Sequence, residues 1–198
     1  MNAIYDIVCS VFVGGIILVM LVGFNGNISE NAVAATVRMT AQTNMTALEN
    51  MMEYEFRKIG YRVDALPADS GISSASRTSL TVKGDFNNDG TVDILRYYID
   101  TTAATGLPNT NTRFIYRVMN GSSRTLNLGA TKCAFAYFDK YGFPITADPV
   151  PVPSRIYAVR VSMTVETTVP WKGSYEKKYM KFNPGVYWER TFRPANLR

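Results

Sequence analysis

An uninterrupted apolar run near the N-terminus limits most strongly what this chain can fold into. Residues 7–24 read IVCSVFVGGIILVMLVGF, which is eighteen residues without a charge. That length is close to the ~20 residues that a helix needs to cross a bilayer. A cleaved secretory signal is the alternative, but no basic segment precedes the run and no small-residue cleavage site follows it. The run therefore predicts a retained membrane helix.

The helical pattern continues beyond the apolar run. Residues 28–59 contain neither Gly nor Pro, and apolar side chains recur at every third or fourth position. This apolar stripe consists of Val33, Val37, Ala41, Met45, Leu48, Met52, Phe56 and Ile59. Gly60 is expected to end the helix. If both parts form one helix of ~55 residues, it is about 80 Å long. Gly14, Gly15, Gly23 and Gly26 mark the positions at which it could bend or unwind.

After Tyr61 the pattern changes to short alternating segments separated by turn residues. Turns are predicted at Asn120-Gly121, Tyr141-Gly142 and Gly173-Ser174, and the proline-rich segment 148–153 is expected to be a stiff extended connector. Strands are predicted at 79–83, 94–99, 112–118, 125–128, 133–139, 156–167 and 177–182.

These patterns together predict an α+β fold. A long N-terminal helix, apolar in its first half, is expected to pack on a C-terminal antiparallel β-sheet domain. We divide the chain into an apolar half-helix (1–27), an amphipathic half-helix (28–60) and a β-rich globular domain (61–198).

The segment 84–93, GDFNNDGTVD, has the ligand spacing of a calcium loop. Oxygen donors stand at alternate positions, and they are Asp85, Asn87, Asp89, the Thr91 backbone carbonyl and Asp93. Gly90 is the sixth residue, where an EF-hand loop turns sharply. The twelfth residue is Arg96, however, where an EF-hand has a bidentate Glu, and the flanks are predicted strands. The spacing resembles the strand-flanked calcium loops of extracellular domains rather than an EF-hand.

Two interpretations of this acidic loop remain open. One is a polar turn in which Asn88, Asp89 and Gly90 supply left-handed backbone geometry. The other is a structural Ca²⁺ site of the weak affinity found in extracellular modules. Because three carboxylates this close together repel one another without a cation, we expect Ca²⁺.

Composition excludes several classes of function. The chain of 198 residues has a net charge of +5 with scattered basic residues, so no nucleic-acid partner is expected. It contains no histidine, which removes the commonest general base and transition-metal ligand. Two cysteines, Cys9 and Cys133, are too few for a disulfide scaffold or a zinc cluster. An enzyme would need a carboxylate pair, and the only clustered carboxylates are better explained as metal ligands. We therefore expect no enzymatic activity.

Four short motifs follow the helix in an order that resembles one family of proteins. Residues 53–61 resemble an acidic–x–Arg–x–x–Gly–Tyr helix end, and residues 114–118 a strand that ends in arginine. Residues 134–142 resemble an F-x-Y-x-D-x-x-G strand and turn, and residues 155–161 an R-I-x-x-V-x-V strand. With the apolar helix, this order is similar to that of type IV pilin-like subunits, namely minor pilins and the J-type pseudopilins of type II secretion.

The resemblance implies a structural role. It implies a subunit of a type IV pilus-like or pseudopilus filament, in which apolar helices of identical or homologous subunits pack in the fibre core. Before assembly such subunits lie in inner-membrane lipid, from which an assembly platform and ATPase extract them into an extracellular or periplasmic filament. The alternative is a membrane-anchored extracytoplasmic binding or adhesion module stabilised by calcium.

An acidic residue near the start of the helix bears on assembly. Family precursors begin with a short basic leader that is removed, and a glutamate lies near the processed start; here Asp6 stands one residue later. The resemblance implies that Asp6 pairs with a neighbouring subunit's N-terminal amine, and a carboxylate in an apolar surrounding needs such a partner. The expected assembly residues are Asp6, Ile7, Val11, Gly14, Ile17, Leu18 and Leu21.

Overall fold

The computed structural model describes residues 2–63, 71–102, 104–107, 109–126, 129–166 and 185–197, which form one long helix and two antiparallel sheets. The helix is α1 (Asn2–Arg57). The strands are β1 (Ile72–Ala75), β2 (Ser79–Gly84), β3 (Asp93–Ile99), β4 (Ile115–Met119), β5 (Ser122–Leu126), β6 (Ala130–Phe138), β7 (Pro144–Ile145), β8 (Ala158–Val165) and β9 (Val186–Phe192). The predicted α+β architecture is confirmed.

α1 passes through both predicted half-helices as one element. Its 56 residues correspond to about 84 Å at 1.5 Å per residue. All four glycines of the apolar half lie within the helix, and the backbone does not unwind at them. Because a glycine in a helix costs only ~1 kcal/mol relative to alanine, an otherwise helical sequence accommodates four of them. The chain turns away at Gly60, whose φ of 77° is the left-handed conformation of a helix C-terminus.

Among the described side chains of α1, only those in its last part contribute to the core. Its buried apolar side chains, with Ile59 just beyond the helix, are Met45, Leu48, Met52 and Phe56, as the stripe predicted. Ala41 is half-buried. Val33, assigned to the same stripe, is 58% exposed. The prediction that the whole stripe packs against a core was wrong, because the sheets reach only the last ~5 turns of the helix. The side chain of Val37 lies outside the described part.

The two sheets meet on the buried face of α1. One sheet has the strand order β1-β2-β3-β4-β5 and the other β7-β6-β8-β9. The ring of Phe56 lies 6.0 Å from that of Tyr97 in the first sheet and 4.8 Å from that of Phe192 in the second, measured between centroids. The helix therefore packs across the line between the sheets, and a single apolar core joins all three elements.

Local turn signals placed the hairpins correctly. Met119 pairs with Ser122 across the two-residue turn Asn120-Gly121, and both turn residues have positive φ, 49° and 83°. Positive φ at both positions is the requirement of a type I′ hairpin. Tyr141-Gly142 likewise joins β6 to β7. The connector 148–153 forms no strand, as predicted, and ends in a short 3-10 turn (Pro153–Arg155).

Strand boundaries differ from the predicted ones where alternation was weak. β1, β7 and β9 were not predicted, because the first two have only four and two residues and the sequence of β9, VYWERTF, does not alternate between apolar and polar residues. The predicted strand 112–118 begins only at Ile115. The predicted strand 177–182 and the turn Gly173-Ser174 lie outside the described residues.

Candidate functional site

The first half of α1 stands free of the domain. Its most apolar eighteen-residue window has a mean hydropathy of 2.8, and none of that window is buried. By length and composition the helix can span a membrane, as an anchor or as a signal sequence. No break separates the predicted half-helices at residue 27.

The predicted assembly residues share one side of this free helix. At 3.6 residues per turn they fall within about 140° of its circumference, with Asp6 at one edge. All of them are exposed, and they are Asp6, Ile7, Val11, Gly14, Ile17, Leu18 and Leu21. Within the described part of the chain Asp6 has no ion-pair partner.

Apolar side chains remain exposed beyond the membrane-length run. Ile28 is 50% exposed, Val33 58% and Met39 67%. They lie between the charge-free run and the first half-buried residue, Ala41. The exposed apolar surface of α1 therefore extends beyond the length of helix that is needed to span a membrane.

The acidic loop joins β2 to β3, as predicted. Gly84 and Asp93 form the last pair of the antiparallel ladder, and the loop lies between them. Two of the predicted ligands, Asp85 and Asp93, are buried, whereas the other three, Asn87, Asp89 and Thr91, are exposed. Arg96 lies three pairs along the ladder, where its Nε donates to Ser79 Oγ at 3.3 Å. It therefore lies in the sheet, away from the loop.

Several side-chain oxygens of the loop accept hydrogen bonds from the loop itself. Asp89 Oδ1 accepts from the Thr91 amide at 2.7 Å, and the hydroxyl and amide of Thr91 lower the pKa of Asp89. Asn87 Oδ1 accepts from the Asp89 amide at 3.0 Å. Asn88 and Gly90 have positive φ, 64° and 90°, as the polar-turn interpretation requires, whereas Asp89 does not. Among the described residues, no three carboxylate, thiol or imidazole groups are gathered as a metal shell.

Asp85 and Asp93 anchor the two ends of the loop. Asp93 Oδ2 accepts from the Phe86 amide at 3.0 Å and its Oδ1 from Asn120 Nδ2 at 2.6 Å. Asp85 Oδ2 accepts from Arg62 Nη1 at 3.0 Å and from the Gly90 amide at 3.1 Å. Asp85 Oδ1 is buried and has no hydrogen-bond partner within the described residues. One carboxylate oxygen beside the loop is thus desolvated and uncompensated, which is costly.

The loop is docked on the C-terminal end of α1. Lys58 Nζ donates to the Phe86 carbonyl at 3.0 Å and to Asn88 Oδ1 at 2.8 Å. The Asp85 amide donates to the Tyr61 carbonyl at 3.1 Å. A Cβ on Gly84 would lie 2.3 Å from the Lys58 carbonyl oxygen, so only glycine permits this approach. The loop therefore links the hairpin to the end of the helix.

A buried polar cluster joins the helix to the first sheet. Glu55, 4% exposed, accepts from Arg117 Nε at 2.8 Å and from the hydroxyl of Tyr97. Burial, followed by the charge of Glu55, raises the pKa of Tyr97 well above its usual value, so the hydroxyl stays protonated and donates. Sequence reasoning did not identify this cluster. Its signal was a carboxylate three residues after Met52 and four before Ile59, inside the apolar stripe.

Residues of three of the quoted motifs make contacts within the domain. Glu55 and Arg117, from the first and second motifs, form the ion pair just described. In the third motif, the hydroxyl of Tyr137 donates to the Ser76 carbonyl at 2.7 Å. Asp139 Oδ1 accepts from the amides of Tyr141 and Phe143 at 2.9 Å, which closes the turn after β6.

Comparison with known proteins assigns no family. No family model matches the chain, and a search of curated proteins finds no match. The resemblance to pilin-like subunits stays a prediction, and the function is inferred from the exposed helix, the acidic loop and their junction.

Proposed function

We propose that this chain is a structural subunit of a type IV pilus-like or pseudopilus filament, assembled through the apolar half of α1 with its β domain exposed. The observation that carries the proposal is the free part of the helix. Every described side chain from Ala3 to Thr40 is exposed, and α1 continues without a break into the core.

The length of this free segment favours a filament over a simple tether. Its 38 residues, 3 to 40, correspond to about 57 Å, whereas the hydrocarbon core of a bilayer is ~30 Å thick. In a lone anchored subunit the remainder, with Val33 and Met39, would stand in water. Side-by-side packing with the helices of other subunits would bury both the membrane-length part and the part beyond it.

The carboxylate at the edge of the apolar face also favours assembly. In lipid or in a helix bundle an unpaired Asp6 would be costly, so a cationic group of a neighbouring subunit is the partner that fits it. On this proposal the subunit waits in inner-membrane lipid. A platform protein and an ATPase then transfer it into an extracellular or periplasmic filament.

Electron microscopy of sheared surface material tests the proposed function. We expect fibres that bind antibodies against this chain, with the β domain accessible along them. A strain lacking the chain is the control for antibody specificity. Recovery of the chain only in detergent-soluble membrane protein would contradict the filament and favour the anchored adhesion module.

We also propose that the acidic loop binds a structural Ca²⁺. The supporting observation is the buried Asp85 Oδ1, which has no partner among the described residues although its carboxylate faces the loop through the Gly90 amide. A hard cation would neutralise the charge on this oxygen. Its other ligands would be the exposed oxygens of Asn87 and Asp89 and the Thr91 carbonyl. The ion would stiffen the loop and perform no catalysis.

Calorimetry of the full chain in detergent tests the calcium site. We expect binding with a Kd on the order of 10⁻⁴–10⁻³ M, as in extracellular modules, weakened at least about tenfold in Asp89→Asn, since one carboxylate fewer lowers affinity. Asp100→Asn is the matched control, because Asp100 Oδ1 accepts from the amide and hydroxyl of Thr102 in the same way but outside the loop. No heat with millimolar calcium would contradict the site.

A further inference from the structure

We propose that Arg62 is a built-in counter-cation of the acidic loop, and that Ca²⁺ and Arg62 compete for Asp85. This inference rests on the proposed calcium site and concerns its regulation. Arg62 Nη1 lies 3.0 Å from Asp85 Oδ2. The side chain of Asp85 is 0% exposed, whereas that of Arg62 is 50% exposed. The buried carboxylate of Asp85 is held in place, whereas the half-exposed side chain of Arg62 can move into solvent.

The position of the guanidinium conflicts with a bound ion. Ca²⁺ lies ~2.3–2.6 Å from its oxygen ligands, so an ion on either oxygen of Asp85 would share this carboxylate with Nη1, which already lies 3.0 Å from Oδ2. Two cations that share one buried carboxylate repel each other. Arg62 also covers the loop: a Cβ on Gly90 would lie 3.3 Å from Nη1. We therefore expect calcium to displace Arg62 from Asp85 into solvent, which its half-exposed side chain already reaches.

The exchange would act on the end of α1. Arg62 belongs to the turn that follows the helix and has a positive φ of 58°. Its neighbour Tyr61 accepts from the Asp85 amide at 3.1 Å. Lys58 holds the loop independently, through the Phe86 carbonyl and Asn88. Calcium would thus remove one of the ties between helix end and loop and leave the others. Without calcium, Arg62 neutralises Asp85 and lowers the affinity for the ion.

Calorimetric titration of the full-length chain in detergent with calcium chloride tests this exchange. We expect Arg62→Gln to bind Ca²⁺ at least about tenfold more tightly than the unmodified chain, because the substitution removes the cation that competes with Ca²⁺ for Asp85. Arg57→Gln is the matched control. It removes the same charge from the same helix end, but Arg57 pairs with Glu53 and its side chain is 75% exposed. Its Kd should be unchanged.

The outcomes separate the exchange from the calcium site itself. Equal affinities in Arg62→Gln and the unmodified chain would overturn the competition and leave the site standing. Binding seen only in Arg62→Gln would support the competition, and no binding in either protein would overturn both proposals. If Arg62→Gln does not fold, as judged by circular dichroism, Arg62→Ala and Arg62→Lys take its place. Tighter binding in Arg62→Ala than in Arg62→Lys supports the competition, and equal binding overturns it.

Discussion

Replacing Glu55 with alanine is expected to destabilise the domain by about 3–5 kcal/mol, the usual cost of removing one partner from a buried ion pair. The side chain of Arg117 is only 14% exposed, and it would lose its carboxylate. Tyr97 would lose the acceptor of its hydroxyl. Urea denaturation of the full chain in detergent, followed by the near-ultraviolet signal of the domain, measures this loss.

Glu53→Ala is the control for this substitution. Glu53 lies two residues earlier on α1, and its pairs with Arg57 and Arg190 are partly exposed to solvent. Because exposed ion pairs contribute ~0–1 kcal/mol, Glu53→Ala should have a much smaller effect. A loss in Glu55→Ala no greater than that in Glu53→Ala would contradict the view that the buried cluster anchors the helix.

The second large effect is expected at the other end of the helix. Asp6→Ala should abolish incorporation into filaments while the amount of protein in the membrane stays the same. In the assembled fibre the alanine would leave the cationic partner of the next subunit buried and unpaired, at a cost of about 3–5 kcal/mol for every contact along the filament. Immunoblots of the sheared filament fraction and of the membrane fraction measure the two quantities.

Asp6→Glu is the matched variant, since it keeps the carboxylate on a side chain one methylene longer. It should retain incorporation, at least in part. Normal assembly of Asp6→Ala would show that this carboxylate has no part in subunit pairing, whatever else the helix does. Loss of the variant from the membrane fraction would locate the defect in insertion instead, and would equally contradict the assembly role.

Features that depend on neighbouring residues were predictable. The stripe from Met45 to Ile59 followed from helical periodicity, and the hairpin at Asn120-Gly121 from the positive φ that a type I′ turn requires. The flanks of the acidic loop followed from the alternation in β2 and β3. These signals are local, and the backbone preferences they reflect act over a few residues.

Contacts between distant residues were not predictable in this way. Arg62 and Asp85 are 23 positions apart, and Glu55 and Arg117 are 62. Periodicity states which face of an element is buried, but not which polar group on another element meets it. The extent of the sheets was also hidden, so Val33 was assigned to a core that does not reach it. The assembly residues, the calcium site and the division of the chain at residue 27 stay predictions.

The continuity of α1 has a mechanical consequence. A pull on its apolar end, such as withdrawal from a bilayer, is carried by consecutive backbone hydrogen bonds to the segment that packs on both sheets. There the load acts along the helix axis, parallel to the contact between helix and sheets. The side chains of that contact, with the ion pairs of Glu53 and Glu55, are then loaded together rather than one after another. A helix joined to its domain in this way resists tension along its axis better than a force that separates these contacts one at a time.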